Sequence, residues 1–599
     1  MAQAIAKRSE IPMEKRWATE DLYVSDAVWE ADLAEVTALV DEAAKYQGHL
    51  GDSAQMLLEF LNFEDGLEIR VEKVYMYAHL NSDVDTTNMT YQSMMMKARM
   101  LFAKVNEAMA FARPEIMAIP QETLSAFRAE EPGLKAYERA FILMEREREH
   151  TRSAEIEALL ASAGEMAHAA SQTFGMLNNA DLKFPKIKGE NGEEVEMSHG
   201  RYVGYLESSD RSVREAAFKS MFGTFEQFSN TIASTFTANI KQAMFFAKAR
   251  GYSSTRAMYL AGSNVPETVY DNLIECVHEA LPSMYRYVAL RKKMLGVDEL
   301  HMYDVYVPIV PECKMKVPFD QAKETILKAL EPMGEEYLAA LKEGFDNRWI
   351  DACENAGKRS GAYCSGGSTG HPYVLMTYKE TLDNMFTLAH EMGHAMHSYF
   401  SNKVQPHQTA GYRIFVAEVA STCNEILLTR YLLKTTTDKA QRAYIVNHFL
   451  DTFKGTLFRQ TMFAEFEKTA HKMMEDGEAL TAEKLNKVYY DINAKYFGPD
   501  MVCDDLIKLE WARIPHFYTP FYVYQYATGI SAAGALSTRI LELGEEGVKD
   551  YMKFLTGGGS QDPIDLLKLA GVDMSEKAPV QAALKLFDEM VTELEEMLG

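Results

Sequence analysis

The sequence has few cysteines, and they show no pattern of a disulfide framework. The chain of 599 residues contains six of them, at Cys276, Cys313, Cys353, Cys364, Cys423 and Cys503. They are scattered, and no two form a Cys-x-x-Cys pair. In so large a chain this pattern indicates reduced thiols in a cytosolic protein.

The chain also lacks long apolar runs and an excess of positive charge. No run of 18 apolar residues is present, which argues against a transmembrane helix, and the charged N-terminus has no apolar core of a secretory signal. The net charge of -25 would repel nucleic acids and anionic membranes. We therefore expect a cytoplasmic protein without nucleic-acid or membrane partners. A monomer is expected, and a homodimer stays open.

Apolar residues recur at helical spacing along most of the chain, which predicts a mostly α-helical protein. The predicted helices include 26–50, 54–82, 87–112, 120–129, 133–148, 152–179, 211–228, 230–250, 267–294, 320–344 and the region from 381 onward. A small β-hairpin with a glycine-rich turn is predicted over 184–197. We place a boundary near this hairpin, which gives an N-terminal helical lobe, 1–200, and a second domain, 201–599.

The most informative motif is His390-Glu391-Met392-Gly393-His394. On a helix, its two histidines lie one turn apart on one face, where both can reach a single Zn²⁺. Glu391 lies beside the same metal and is placed to take a proton from zinc-bound water. Gly393 is unfavourable inside a helix and indicates close packing by another backbone. The alternative is a helix with two ordinary histidines and a surface glutamate.

A catalytic zinc needs three protein ligands and one open position. A third histidine in the metzincin pattern would require Gly at 397 and His at 400, but the chain has His397 and Phe400. The other common ligand is a glutamate on a following helix. A helix predicted from Phe415 onward has Glu418 and Glu425 on one polar stripe. Spacing alone leaves open which of them is the ligand, or whether the stripe is a solvated acidic face.

Residues 361–378 differ from the helical remainder of the chain. They are glycine-rich, with Gly366 and Gly367, and become extended and β-prone from Tyr373. An edge strand beside a zinc helix can hold a peptide by main-chain hydrogen bonds. We therefore expect Gly366, Gly367 and Tyr373 to bind substrate, and the alternative is an ordinary connecting hairpin.

These motifs together resemble the thimet-type oligopeptidases, a family of zinc metallopeptidases, and within it the oligoendopeptidase F subfamily. The resemblance is carried by HEMGH at 390–394, FVAEVASTCNE at 415–425, GAYCSGG and PYVLMTY within 361–378, HFYTPFYVYQYATG at 516–529, and the opening RSEIP. It implies a mostly helical fold with two lobes flanking a deep substrate channel, and one zinc ion per chain. It also implies that Glu418 is the third ligand and that 201–599 is the catalytic zinc metallopeptidase domain.

The resemblance further implies functional residues beyond the metal ligands. His516 and Tyr522 match catalytic positions that stabilise the oxyanion, and Tyr526 matches a position that binds substrate. The chain departs from thimet oligopeptidase near Gly529, where that enzyme has a further tyrosine, so the division of work among these donors stays open. We expect Glu425 to orient a ligand imidazole through its ring N–H.

The sequence therefore predicts a zinc endopeptidase that hydrolyses internal bonds of short, unstructured peptides, with Glu391 as general base. A zinc exopeptidase, either a dipeptidyl carboxypeptidase or an aminopeptidase, is the nearest alternative. The loop typical of an aminopeptidase, similar to Gly-Ala-Met-Glu-Asn, is not found in the sequence. A peptide-binding scaffold without catalysis is less favoured, because Glu391 and all candidate ligands are present.

Overall fold

The computed structural model of the protein describes residues 5–310 and 315–598, so Cys313 lies outside the described residues. The described chain forms two compact units, each assembled from three separate stretches. The first unit contains 5–149, 315–428 and 536–571, and the second contains 150–310, 429–535 and 572–598. The sequence boundary near residue 200 stays a prediction, as does the expected channel.

The first unit is built mainly from helices. Its α-helices are Asp26–Leu39, Ala54–Val84, Met89–Met109, Ala112–Ala118, Gln121–Glu130, Glu138–Arg148, Phe319–Ala329, Gly334–Asp346, Leu382–Val404, His407–Ala410, Ile414–Thr435 as far as Leu428, Glu545–Leu555 and Pro563–Leu569. Two of them carry the residues singled out above. We call Leu382–Val404 the HExxH helix and Ile414–Thr435 the glutamate helix.

A three-stranded sheet accompanies the HExxH helix in the first unit. Its central strand is Tyr373–Leu375, which pairs in parallel with Ile350–Asp351 and antiparallel with Tyr363–Ser365. All three residues of the central strand are buried, as expected of a short β-prone run with neighbours on both sides. Tyr363–Ser365 is an edge strand of this sheet and contacts the HExxH helix.

The second unit is also mostly helical. Its α-helices are Ala154–Ala167, Ala169–Met176, His199–Leu206, Arg211–Arg250, Thr255–Ala261, Glu267–Glu279, Leu281–Leu295, Lys439–Phe453, Arg459–Glu475, Ala482–Phe497, Tyr524–Leu543 as far as Ala535, and Ala578–Leu598. Two pairs of short strands accompany them: Ile187–Lys188 with Glu194–Val195, and Leu300–His301 with Met501–Val502. The first pair is antiparallel and confirms the predicted hairpin.

The prediction of a mostly helical protein is confirmed, but several helix boundaries were wrong. The helices predicted at 211–228 and 230–250 form one continuous helix, Arg211–Arg250, capped by the Asp210 side chain. The predicted helix 320–344 is broken, because Phe319–Ala329 ends and Gly334–Asp346 begins a few residues later. Glu331, Pro332 and Met333 form a 3₁₀ turn between them, which fits the tendency of proline to begin rather than continue a helix.

The HExxH helix and the glutamate helix pack unusually closely at Gly393. A Cβ atom at this position would lie 2.5 Å from Cα of Ser421 and 2.8 Å from the carbonyl oxygen of Ala420. Such distances are too short for a real side chain, and backbone atoms cannot rotate away. The glycine is therefore required by the contact between the two helices, which confirms the close packing predicted from the sequence.

We expect Gly393→Ala to force the two helices apart. Overpacking of this kind typically costs about 1–3 kcal/mol, so the melting temperature should fall and binding of zinc should weaken. Gly66→Ala is the matched control, since Gly66 lies in the helix Ala54–Val84 with no atom within 4 Å of its added Cβ. The control should melt at an equal or higher temperature, because alanine favours helix. Unchanged stability and zinc affinity in Gly393→Ala would contradict the packing argument.

Candidate metal centre

The HExxH helix presents its two histidines as the motif requires. The helix begins after Thr381, whose side chain accepts a hydrogen bond from the backbone N–H of Asn384, a standard N-cap. His390 and His394 follow one turn apart, and their Nε2 atoms are 3.2 Å apart. Two imidazole nitrogens this close can share a cation.

Glu418 on the glutamate helix completes a triangle with these nitrogens. Its Oε2 atom lies 3.2 Å from Nε2 of His390 and 3.4 Å from Nε2 of His394. A tetrahedral zinc with bonds of about 2.0–2.1 Å separates its ligand atoms by about 3.3 Å. The donor set and its spacing therefore fit zinc. Within the described residues, no other set of three histidine, cysteine or acidic side chains is grouped in this way.

Glu425 approaches the other side of the His390 ring. Its Oε1 atom contacts Nδ1 of His390, whereas Glu418 lies on the Nε2 side. Burial by itself lowers the pKa of His390. The hydrogen bonds to Glu418 and Glu425 have the larger, opposite effect, so that the pKa is raised to about 10. The two carboxylates thus create a strong preference for positive charge at this imidazole.

The Glu391 carboxylate lies in the same region, and one of its oxygens has no hydrogen-bond partner among the described atoms. The residue is 6% exposed, and its Oε2 atom is buried without a hydrogen-bond partner among the described atoms. Burial raises the pKa of Glu391, while the neighbouring His390 and His394 act against this. A buried carboxylate oxygen without a partner is costly unless a further polar group binds there, so the geometry fits a bound polar ligand.

Asn424 is a further residue of the centre that the sequence analysis missed. Its side chain is fully buried; its Nδ2 donates to the carbonyl oxygen of Ala389, and its Oδ1 accepts from the Tyr337 hydroxyl. It therefore joins the glutamate helix to the HExxH helix one residue before His390. The available signal was an asparagine directly beside Cys423 on the otherwise apolar side of the helix.

Tyr373 does not lie where the sequence analysis expected it. We expected an edge strand, but Tyr373 is in the central strand, is fully buried, and donates its hydroxyl hydrogen to the carbonyl oxygen of Ala18. The apolar run was correctly predicted as a strand, but its composition could not show that strands lie on both sides of it. The edge beside the HExxH helix is Tyr363–Ser365.

The two expected glycines follow this edge strand directly. A Cβ at Gly366 would lie 2.6 Å from Cβ of Ser398 on the HExxH helix, and one at Gly367 would lie 2.4 Å from Oε1 of Glu72. Gly367 also accepts a hydrogen bond from the Asn402 side chain through its carbonyl oxygen. Close packing against Ser398 therefore explains Gly366, whereas the atoms nearest to Gly367 belong to the ends of flexible side chains. The role of both glycines in substrate binding stays a prediction.

The three aromatic residues predicted from the C-terminal motif lie together in the second unit. Ring centroids are 5.9 Å apart for His516 and Tyr522, 6.1 Å for His516 and Tyr526, and 5.5 Å for Tyr522 and Tyr526. None of the three is buried. Partial desolvation by the surrounding protein lowers the pKa of the exposed His516, which favours the neutral imidazole.

Comparison with known proteins identifies the family. Residues 204–586 match peptidase family M3, and residues 115–184 match the family described as oligopeptidase F. The chain belongs to peptidase family M3. Oligopeptidase PepF of Bacillus subtilis (strain 168) is 48% identical over 597 residues, which cover 100% of this chain and 89% of that protein. Group B oligopeptidase PepB of Streptococcus agalactiae is 42% identical over 592 residues, covering 99% and 98%.

A solved structure supports the same assignment for this M3 chain. The crystal structure of oligoendopeptidase-F from Enterococcus faecium is 43% identical, has a TM-score of 0.75, and covers 96% of this chain and 99% of that chain. The resemblance predicted from the sequence is therefore confirmed, and the protein is a metallopeptidase of the oligoendopeptidase F type. None of the helices within 5–310 and 315–598 combines the length and apolar character needed to cross a membrane.

The triangle of donor atoms leads to different expectations for the two glutamates. Glu418→Ala removes a candidate ligand and should abolish tight zinc binding. Glu425→Ala removes only the partner of Nδ1 and should weaken zinc affinity by about 10–100-fold, as is usual for outer partners of ligand histidines. Glu336→Ala is the control, because this exposed glutamate pairs with Lys403. Affinities would be measured by competition with a chelating dye, and wild-type affinity in Glu418→Ala would overturn the assignment.

Proposed function

We propose that this M3 peptidase is a zinc-dependent endopeptidase that hydrolyses internal bonds of short, unstructured oligopeptides. The observation that carries the proposal is the triangle of His390, His394 and Glu418 beside the unpartnered carboxylate oxygen of Glu391. Three protein ligands around one ion leave a fourth position open, as in catalytic zinc sites. One zinc ion per chain is proposed.

Zinc bound by these residues would lower the pKa of its water toward about 7 and polarise the scissile carbonyl. Glu391 takes the proton of the attacking water and later passes it to the leaving amine. Its buried carboxylate oxygen without a partner supports this role, because a water held at the metal could bind there. Glu425 accepts the Nδ1 hydrogen of His390, which keeps Nε2 as the ligand atom.

His516 and Tyr522 are proposed as hydrogen-bond donors to the oxyanion, and Tyr526 as a substrate-binding residue. The support is the resemblance of 516–529 to the family motif together with the clustering of the three rings. A neutral tyrosine keeps its phenolic hydrogen at neutral pH and can donate it. Substituting the three residues one at a time and measuring kcat would show which of them is the main donor.

The substrate backbone is proposed to pair with the edge strand Tyr363–Ser365. This strand has one neighbour in the sheet and contacts the HExxH helix, whereas the central strand containing Tyr373 has no free edge. Main-chain pairing of this kind requires an extended peptide, which supports unstructured substrates. Gly366 and Gly367 follow the edge strand and are proposed to contact the peptide backbone.

We also propose a cytoplasmic location and a monomeric state. The five cysteines within the described residues are free thiols, as expected in a reducing compartment. A homodimer is the alternative, and analytical ultracentrifugation would distinguish the two.

Glu391→Gln separates catalysis from binding. The amide has nearly the same shape and leaves His390, His394 and Glu418 in place, but it cannot take a proton. We expect zinc and peptide binding to persist while kcat falls by at least about 10²–10⁴-fold, the usual contribution of a general base. A peptide-binding scaffold would show no turnover in the wild type. Turnover equal to wild type in Glu391→Gln would defeat the mechanism.

Endopeptidase and exopeptidase activity are distinguished by a mixed peptide library read by mass spectrometry. We expect internal cleavage of short peptides, loss of activity with a chelator, recovery with Zn²⁺ or Co²⁺, and survival of folded proteins. Glu391→Gln treated in the same way controls for contaminating peptidases. Release of single residues or dipeptides from the ends alone would favour the exopeptidase alternative, and full activity in metal-free protein would exclude the zinc mechanism.

A further inference from the structure

A buried carboxylate in the second unit contacts the backbone beside Tyr522. Glu467 lies in the helix Arg459–Glu475 and is 1% exposed. Its Oε1 atom accepts a hydrogen bond of 2.8 Å from the backbone N–H of Phe521. Its Oε2 atom is buried and has no partner among the described atoms. Placing a carboxyl group in such surroundings is unfavourable, so its presence calls for an explanation.

Phe521 itself has an unusual backbone conformation. Its φ angle is 55°, and among the described residues only four non-glycine residues have positive φ, of which Phe521 is the aromatic one. This left-handed conformation is unfavourable for a bulky L residue and persists only where the surroundings hold it. Strained positions of this kind cluster at active sites, where they fix the direction of the chain.

The surroundings hold Phe521 from two sides. Its N–H is bound by Glu467, and its ring lies 4.7 Å from His471, 5.8 Å from Tyr270 and 6.1 Å from Tyr259, measured between ring centroids. His471 is one turn after Glu467 on the same helix, and its Nδ1 contacts the Thr255 hydroxyl. The helix Arg459–Glu475 thus contacts both the backbone of Phe521, through Glu467, and its ring, through His471.

The direction of the chain at Phe521 decides where Tyr522 points. Phe521 and Val523 are buried, whereas Tyr522 between them is partly exposed beside His516 and Tyr526. The carbonyl oxygen of Tyr522 accepts from the N–H of Gln525 at the start of the helix Tyr524–Leu543. A relaxed, negative φ at Phe521 would rotate this exposed side chain away from its two neighbours.

We infer that Glu467 is a positioning residue for catalysis, which acts by holding Phe521 and thereby directing the Tyr522 hydroxyl. The inference rests on the proposed function, in which Tyr522 donates a hydrogen bond to the oxyanion. Burial raises the pKa of Glu467 to about 8, which favours the uncharged acid. Glutamine retains the accepting oxygen without charge and is therefore the closest mimic.

A double-mutant cycle between Glu467 and Tyr522 tests the inference. Glu467→Met keeps the volume but removes the acceptor, and in the wild-type background it should lower kcat by about tenfold or more with a smaller change in KM. In the Tyr522→Phe background, the same change should lower kcat by less than about twofold, because the hydroxyl it directs is already gone. Glu467→Gln should restore most of the activity of Glu467→Met.

Two measurements separate positioning from loss of folding. Hydrogen exchange of peptides covering 517–523 should be faster in Glu467→Met than in wild type, because the Phe521 N–H loses its acceptor. Thr461→Val is the matched control, since this buried residue of the same helix donates only to the carbonyl oxygen of Leu457. It should keep wild-type kcat and exchange in 517–523. Glu467→Ala replaces Glu467→Met should the latter not fold.

The outcomes distinguish this inference from the proposed function. Equal loss of kcat on adding Glu467→Met in the tyrosine and phenylalanine backgrounds would overturn the positioning role and leave that of Tyr522 intact. Exchange in 517–523 unchanged from wild type would overturn it as well. Wild-type kcat in Tyr522→Phe would remove the catalytic role of Tyr522 and the inference with it.

Discussion

The chemistry of the first unit depends on one contact, the approach of the HExxH helix to the glutamate helix at Gly393. Helices usually pack with axes about 8–10 Å apart, and the side chains at the contact set the distance. Here no side chain intervenes, because the Cβ of any other residue would overlap the backbone of Ser421. The glycine lowers the stability of its own helix by about 1 kcal/mol relative to alanine. The close approach that it allows brings Glu418 within reach of both candidate ligand histidines.

This contact explains why one part of the centre could be predicted from the sequence and another could not. His390 and His394 belong to a single helix, so their separation of four positions in the sequence determines how they lie relative to each other. The position of Glu418 depends on how two helices meet after an intervening loop. Spacing therefore did not decide between Glu418, Glu425 and a solvated acidic face, and the family resemblance favoured Glu418. The structure separates the two by the nitrogen of His390 that each one contacts.

The same distinction between local and tertiary information applies to the fold. Helical periodicity and β-prone residues correctly identified most helices, the hairpin near 184–197, and a strand at Tyr373. These sequence patterns could not predict the order of the strands in the sheet. A buried run such as Tyr373–Leu375 has the same composition whether it pairs with one neighbouring strand or with two. Phe521 is a further case. Its sequence context is an ordinary aromatic segment, and only the structure shows a left-handed backbone held by Glu467.

Glu425 and Glu467 are two acids with one physical use in different units, although Glu425 is only partly buried and Glu467 is fully buried. Each accepts a hydrogen bond from a group next to the proposed site. Glu425 accepts from Nδ1 of His390, and Glu467 accepts from the backbone N–H of Phe521, the residue before Tyr522. A carboxyl group loses its hydration on burial and regains it only in part through one hydrogen bond. An apolar side chain at either position could not fix the orientation of an imidazole or of a strained peptide unit. The presence of these two acids is therefore better explained by the geometry they impose than by the stability they add.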